Sequence, residues 1–399
     1  MRRAVVALVL LVAAGAIVAC ATLGGRKPPE KRGYPDSFMP VLGRSRVVAI
    51  AATPDAERIA VATEKRLAIH KPPYGSEVAF LATGRFTDVV FSKDGTRVLA
   101  GSGEDRGTAS IFDATTGQLV KELRVGVTGV RAVRFADDER IVLVLSSDSL
   151  AGVSVATGEE LFHVPASRLF QVSRDGSRVL TREQWGGNTL HVLDARTGKS
   201  LLEVPPHFGS GGIDAAEWSP DESRIAIGRA ADDLYVVDAR TGKEVWRKPL
   251  EGTVALAFSP DGKLLAAGNS YALLRLHDAA TGDIEREIKG PATPVHTFCF
   301  SADGTHLATA AWGRQWVRFQ DPATSDFGPI DVFEDPKVRL YDPSTGREIA
   351  ELTYTTFDAH HLRRTTKGFV WAEGESVATW ELGQENRAPR PHSSGSFIR

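Results

Sequence analysis

Two turn signatures recur along this chain, and their spacing constrains the fold more than any other feature. The first is a turn carrying Asp after a short apolar run: TPDAE, SKDGT, ADDER, SRDGS, SPDES, SPDGK and SADGT, with Asp55, Asp94, Asp137, Asp175, Asp221, Asp261 and Asp303. The second ends in Gly: PPYGS, ATTGQ, VATGE, ARTGK twice, AATGD and PSTGR, with Gly75, Gly117, Gly158, Gly198, Gly242, Gly282 and Gly346. Successive glycines lie 40 to 44 residues apart, except the last pair, which lie 64 apart. Asp hydrogen-bonds the backbone just beyond it, and Gly takes positive φ at little steric cost, so both signatures are tight turns. Four residues before five of the glycines stands another Asp: Asp113, Asp194, Asp238, Asp278 and Asp342. These read as caps of the turns rather than as catalytic acids.

Between the turns lie runs such as VALAFS, LLAAGN, LLRLHD and IEREIK. Each has strand length, with β-branched and aromatic residues enriched. Four strands in a unit of about 40 residues make one blade of a β-propeller. The units resemble the WD-repeat family, in which one strand ends in Phe-Ser-Pro-Asp-Gly and another in Trp-Asp. Phe258 to Gly262 reads FSPDG. The Trp-Asp pair is degraded to Phe112-Asp113, Leu193-Asp194, Val237-Asp238, His277-Asp278 and Tyr341-Asp342, and the family's Gly-His dipeptide is absent. The resemblance covers residues 37 to 382 and implies an all-β chain of four-stranded antiparallel blades. It implies little about partners. Phe91, Phe135, Trp218, Phe258 and Phe300 hold equivalent places before the Asp turn and are expected in the core.

Seven units carry both turns. An eighth, Phe357 to Gly383, supplies three strands and then runs into QENRAPRPHSSGSFIR, a disordered-type tail. Ahead of the first unit, DSFMPVLG resembles an outer strand without a blade. These two gaps predict an eight-bladed ring closed by the N-terminal strand; seven blades is the alternative, if the eighth unit only completes the seventh. Closure protects sheet edges that would otherwise pair with other chains.

The first residues differ in kind. Arg2 and Arg3 precede an apolar run from Ala4 to Ala19, which is shorter than the roughly 20 residues of a membrane-spanning helix. A charged start, apolar middle and small-residue end form a secretory signal. Ile17-Val18-Ala19-Cys20 resembles the lipobox of bacterial lipoproteins, which implies cleavage before Cys20 and its acylation; a plain signal or an uncleaved anchor is the alternative. The expected organisation is a signal peptide over 1–19, a Gly- and Pro-rich tether over 20–36, a propeller over 37–383 and a tail over 384–399. The second of the two cysteines, Cys299, falls in an apolar strand, so no disulfide framework is implied.

A formal net charge of −2 and the lack of a basic stripe argue against nucleic-acid binding. Catalytic constellations are missing from the pattern too. HFGSGG at His207 to Gly212 is not Gly-x-Ser-x-Gly, and Gly101-Ser102-Gly103 opens no helix. SKDGT lacks the spacing and the Trp of a sialidase Asp box. His360 and His361 are adjacent in a strand, so they face opposite sides. No cofactor or metal set is implied, and the reading is of a non-enzyme.

Function then belongs to the loops. The 24 residues that lengthen unit seven fall between its second and third strands, over Trp312 to Pro336. This insert carries Trp312, Trp316, Phe319, Phe327 and Phe333 among five acidic residues. It reads either as a β-extension of its own blade or as a partner-binding loop. Trp185 and Phe208, on other loops of the same end, would extend the surface. Two functions are compatible with this. One is an interaction scaffold, lipid-anchored to the periplasmic face of the outer membrane, since Ala21 rather than Asp follows Cys20. It resembles, in architecture only, the propeller subunit of the outer-membrane barrel-assembly machine. The other is a binding protein for glycan, peptidoglycan or a small ligand, using the top face or the central channel.

Overall fold

The computed structural model describes residues 39–40 and 46–382, apart from 54, 56, 72–75, 104–106, 127–128, 184–188, 206–211, 230–232, 251, 270–272, 290–294, 312–313, 321–326, 334–336, 354–358 and 374–375. The expectations for the signal, the tether with Cys20 and the tail lie outside the described residues.

Alternating apolar runs joined by tight turns leave little choice but antiparallel meanders. Blade 6 is typical: strands a to d are Thr253–Phe258, Leu264–Asn269, Leu273–Asp278 and Ile284–Lys289, hydrogen-bonded in that order. Eight four-stranded sheets of this kind form. The eighth holds Ala359–Arg364, Gly368–Glu373 and Ser376–Glu381, and its outer place is taken by Met39–Pro40. Met39 pairs with Val377 and Pro40 with Ser376, so the ring has eight blades and closes through its N-terminal strand.

Strands a pack beside one another in cyclic order, from Val47–Ala52 of blade 1 to Ala359–Arg364 of blade 8 and back, around a central channel. The middle strands lie between neighbouring blades and are apolar on both faces; all five residues of Ile141–Leu145 are buried. The core is accordingly divided into eight clusters, each filling one interface between adjacent blades. One joins Val47, Ile50, Ile59 and Val61 of blade 1 to Val370 and Val377 of blade 8. Trp218, Phe258 and Phe300 are buried as expected, at 4%, 5% and 2% exposure. Phe91 and Phe135 are only half-buried; each packs against an apolar cluster and lies under a guanidinium, Arg58 at 6.0 Å and Arg97 at 5.6 Å, as buried Trp218 does under Arg178 at 4.5 Å.

The turns do what their residues require. In four blades the Asp ahead of the Gly turn accepts the backbone N–H of the Thr three residues on, at 2.7 to 2.8 Å. In the Asp turn, Asp94 accepts the Ser92 hydroxyl at 2.6 Å and the Thr96 N–H at 2.9 Å, and these bonds hold its carboxyl down to about 2. Asp137 departs from the pattern. It stands two residues after Phe135, where Asp94 stands three after Phe91, and its carboxylate accepts from Arg196 of the next blade at 2.7 Å.

The outer strands show a feature the turn counts do not. In blades 1 to 7 the ladder between strands c and d skips the residue of strand d three after the turn glycine: Val78, Val120, Leu161, Leu201, Val245, Glu285 and Ile349; blade 1 skips Leu81 as well. The six aliphatic residues three after a glycine are exposed. A bulge at this place twists the free edge and spoils it as a template for another strand. The next residue along reaches the following blade. Trp246 donates its indole N–H to Ala279 O at 3.0 Å, and Lys121 its ammonium to Ala156 O at 2.7 Å.

Candidate functional site

The chain direction places the a–b and c–d turns at one end of the ring and the b–c and d–a loops at the other. The insert of blade 7 rises between strand b, Leu307–Ala311, and strand c, Lys337–Asp342. It forms two strands, Arg314–Gln320 and Phe327–Phe333, paired along their whole length from Arg314↔Phe333 to Gln320↔Phe327. This two-stranded sheet is separate from the four strands of blade 7. In that register Trp316 stands opposite Asp331, Phe319 opposite Gly328, Phe327 opposite Gln320 and Phe333 opposite Arg314. Trp312 lies outside the described residues.

Trp185 and Phe208 also lie outside the described residues. Their loops, between Arg178–Arg182 and Leu190–Asp194 and between Ser200–Val204 and Ile213–Trp218, belong to the same end as the insert. The roots of these loops are braced by arginines. Arg182 donates to Ile213 O at 2.7 Å and Arg168 to Asp214 O at 2.6 Å. Burial, and then the charge of Arg168, lower the pKa of Arg182. At the root of the insert, buried Arg339 is held by Glu351 at 2.9 Å and Glu348 at 3.5 Å.

The channel presents a second group of polar side chains, which the turn pattern does not single out. One register position on strand a, just before the place held by Phe135, Val172, Trp218, Phe300 and Arg364, carries Arg134, Gln171, Glu217, Cys299 and Arg363 in blades 3, 4, 5, 7 and 8. Two of these cap the exposed inner edge of the next blade: Gln171 accepts Trp218 N–H at 2.7 Å and Glu217 accepts Phe258 N–H at 3.4 Å. Arg134 donates to Asp88, which also accepts Val133 N–H at 3.0 Å. Protein surrounds this ring, and burial pushes Glu217 up to about 8 and the Cys299 thiol up to about 12. Arg134, Glu217 and Cys299 precede an aromatic, but Gln171 precedes Val172 and Arg363 precedes Arg364, so the sequence does not single this position out. Among the described residues no three His, Cys, Asp or Glu side chains gather as metal ligands.

A closed ring of eight four-stranded blades with a decorated loop face defines a β-propeller whose variable chemistry sits on that face and in its channel. The comparisons agree with this. Residues 186–379 match the family model described as Outer membrane protein assembly factor BamB. WD repeat-containing protein SL1-17 of Schistosoma mansoni is 34% identical over 129 residues, covering 32% of this chain and 38% of that protein. Pre-mRNA-processing factor 19 homolog 2 of Arabidopsis thaliana is 27% identical over 227 residues, covering 56% and 35%. The chain thus matches well under half the length of either relative. The crystal structure of the computationally designed Ika8 protein superposes with a TM-score of 0.68 at 16% identity, covering 87% of this chain and 99% of that one, which shows the fold alone. Together the repeat matches support a WD-like, propeller-type family, and families of this type suggest an interaction scaffold.

Proposed function

We propose that this chain is a non-catalytic interaction scaffold of the bacterial envelope, anchored by lipid at Cys20 and contacting a protein partner through the insert of blade 7. The observation that carries the reading is the insert itself. Seven blades carry both turns; the eighth lacks them and takes its fourth strand from the N-terminus. Among the described residues blade 7 alone adds a hairpin, and it adds it at the loop end. A two-stranded hairpin by itself is marginal in water, so its apolar residues call for cover. Aromatics with arginines and acids around them are the composition of interface anchors and rims. The match to an outer-membrane assembly factor spans the insert and favours an envelope protein as partner. The lipobox-like Ile17-Val18-Ala19-Cys20 supports the anchor and the outer-membrane location.

The test replaces Gly313 to Asp335 with a short Gly-Ser link and compares crosslinking and mass spectrometry of parent and deletion in the native host. The reading expects unchanged melting and loss of the crosslinks to one envelope protein. Retention of those crosslinks by a stably folded deletion protein excludes the insert as the contact.

A further inference from the structure

We propose that a cleft between blades 5 and 6, at the Asp-turn end, is a saccharide-binding site in which Arg174, Arg224, Asp261 and Asp278 hold the hydroxyl groups of an uncharged sugar. This inference is independent of the scaffold reading, because the cleft lies at the opposite end from the insert and shares no residue with it.

The cavity measures about 570 Å³, inside the range of roughly 300–1,000 Å³ usual for small-ligand sites. Three blades build it. Blade 4 contributes Arg174, blade 5 its a–b turn up to Arg224, and blade 6 both its a–b and its c–d turn. Pro220, Pro260, Phe258 and Ala280 supply apolar lining, against which the C–H groups of a sugar ring can pack.

The charges of the lining select an uncharged ligand. Arg174, Arg224 and Lys263 stand against Asp221, Asp261 and Asp278, so three cations meet three anions. Hydrogen bonds within their own turns, led by those from the Ser219 and Ser259 hydroxyls and the Thr281 N–H, hold the three carboxyls below their ordinary value. All three are therefore ionised at neutral pH, and an ion of either sign gains little net attraction.

Donors and acceptors are nevertheless both left over. Among the described residues the Arg174 guanidinium makes no hydrogen bond or ion pair, and Glu222, which accepts the Arg174 backbone N–H, is taken by Arg178 at 2.8 Å. Half-buried Arg224 spends one N–H on Ala279 O at 2.8 Å. The acceptors arise where blade 6 departs from the repeat. In blades 2, 4 and 5 a hydroxyl two residues after the turn Asp donates to its second oxygen, at 2.8 to 2.9 Å. Blade 6 has Lys263 at that place, and its ammonium stays 3.8 Å from Asp261. In the c–d turns of blades 2, 4 and 5 a Thr hydroxyl donates to the capping Asp at 2.7 to 3.0 Å, whereas Thr281 donates to Asp283 at 3.0 Å. Asp261 and Asp278 thus each present an oxygen, Oδ2, that no N–H or hydroxyl of the turn takes. A sugar hydroxyl both donates and accepts, so it can use a carboxylate and a guanidinium together. A carboxylate or ammonium ligand can use only one of the two.

Isothermal titration of the purified chain with cellobiose, and separately with chitobiose, tests the site and tells a plain polyol from an N-acetylated one. We expect one site per chain for at least one disaccharide. Asp278→Asn keeps the oxygen that caps the turn and replaces only Oδ2, and Arg174→Gln removes a guanidinium that the described fold does not bond. Each should leave the melting temperature unchanged and weaken binding about tenfold or more, the worth of one hydrogen bond to a charged group. Co-sedimentation with cellulose or chitin, lost in the same variants, would assign the sugar to a polymer, and titration without it to a free disaccharide. Failure of both disaccharides to bind overturns the proposal, as does binding that both variants leave unchanged. Binding of the charged dipeptide lysyl-glutamate in place of either sugar would make the cleft a peptide site and overturn it too.

Discussion

The contact between Trp246 and Gly282 is a direct measure of how adjacent blades are held together. Gly282 has φ +76°, and a Cβ placed on it would lie 2.5 Å from the Trp246 ring of the preceding blade. The ring has little freedom to retreat. Trp246 is 7% exposed, its N–H is bonded to Ala279 O at 3.0 Å, and it stacks on His277 with centroids 6.2 Å apart. Gly262, in the Asp turn of the same blade, supplies the control. It has φ +71°, but a Cβ there meets nothing nearer than Pro220 at 3.7 Å. Gly262→Ala should therefore cost only the left-handed backbone penalty, about 1–2 kcal/mol. Gly282→Ala should cost that amount plus about 1–3 kcal/mol of overpacking.

A double-mutant cycle isolates the second part. Trp246→Ala alone should cost about 3–5 kcal/mol. In that background Gly282→Ala should revert to the cost seen at Gly262, because the obstructing ring has gone. The two substitutions should then fall short of additivity by about 1–3 kcal/mol. Urea unfolding followed by far-ultraviolet circular dichroism reads all four proteins without relying on the fluorescence of the deleted Trp. If Gly282→Ala costs no more than Gly262→Ala, or if the cycle is additive, the glycine is required for its φ alone and the packing argument fails.

Removing residues 1–45 takes away the strand that closes blade 8; the melting temperature should fall and self-association rise, and an unchanged melt would show that closure contributes nothing. Phe258→Ala should cost about 3–5 kcal/mol, and half-buried Phe91→Ala should cost less; equal losses in denaturation would refute the burial assignment. His70 and His277 are held below their ordinary value of 6.5, first by burial. The unfolded imidazoles take up protons as pH falls below 6.5 while the folded ones do not, so stability drops with acidification over that window. Replacing them by the aromatics found at this place in other blades, His70→Phe and His277→Tyr, should flatten the slope between pH 7.5 and 5.5, and an unaltered slope would assign it elsewhere. Cys20→Ser should move the protein out of the membrane pellet and abolish acyl labelling; retention there would make the cysteine incidental.

Turn chemistry made the architecture legible because it acts over three or four residues. Asp113 and its equivalents cap their turns whatever surrounds them, so their spacing alone counts the blades. The unmatched DSFMPVLG segment and the three-strand eighth unit could be joined for the same reason. Features that depend on a neighbouring blade were not legible. Phe91 and Phe135 carry the same residue type as Phe258, yet they sit half-exposed where Phe258 is buried. Asp137 was counted with the turn aspartates, but it stands one residue nearer the strand than they do and pairs with Arg196, 59 residues away, in the next blade. The insert was located by arithmetic, but its hairpin pairing, from Arg314↔Phe333 to Gln320↔Phe327, was not legible.

The channel residues show why chemistry is harder to read than fold in a repeat protein. Strand a is the inner edge of each blade, so its unpaired N–H groups need acceptors, and Gln171 and Glu217 supply them to the blade that follows. A polar residue at this position can thus serve the next blade, but the place does not demand one: blades 1, 2 and 6 carry Ala51, Val90 and Ala257 there. Arginine donates and cannot cap an N–H, and Arg134 pairs instead with Asp88 on the neighbouring strand. Because the same place packs, caps or pairs ions from blade to blade, the residue type found there reports its local partner and announces no site.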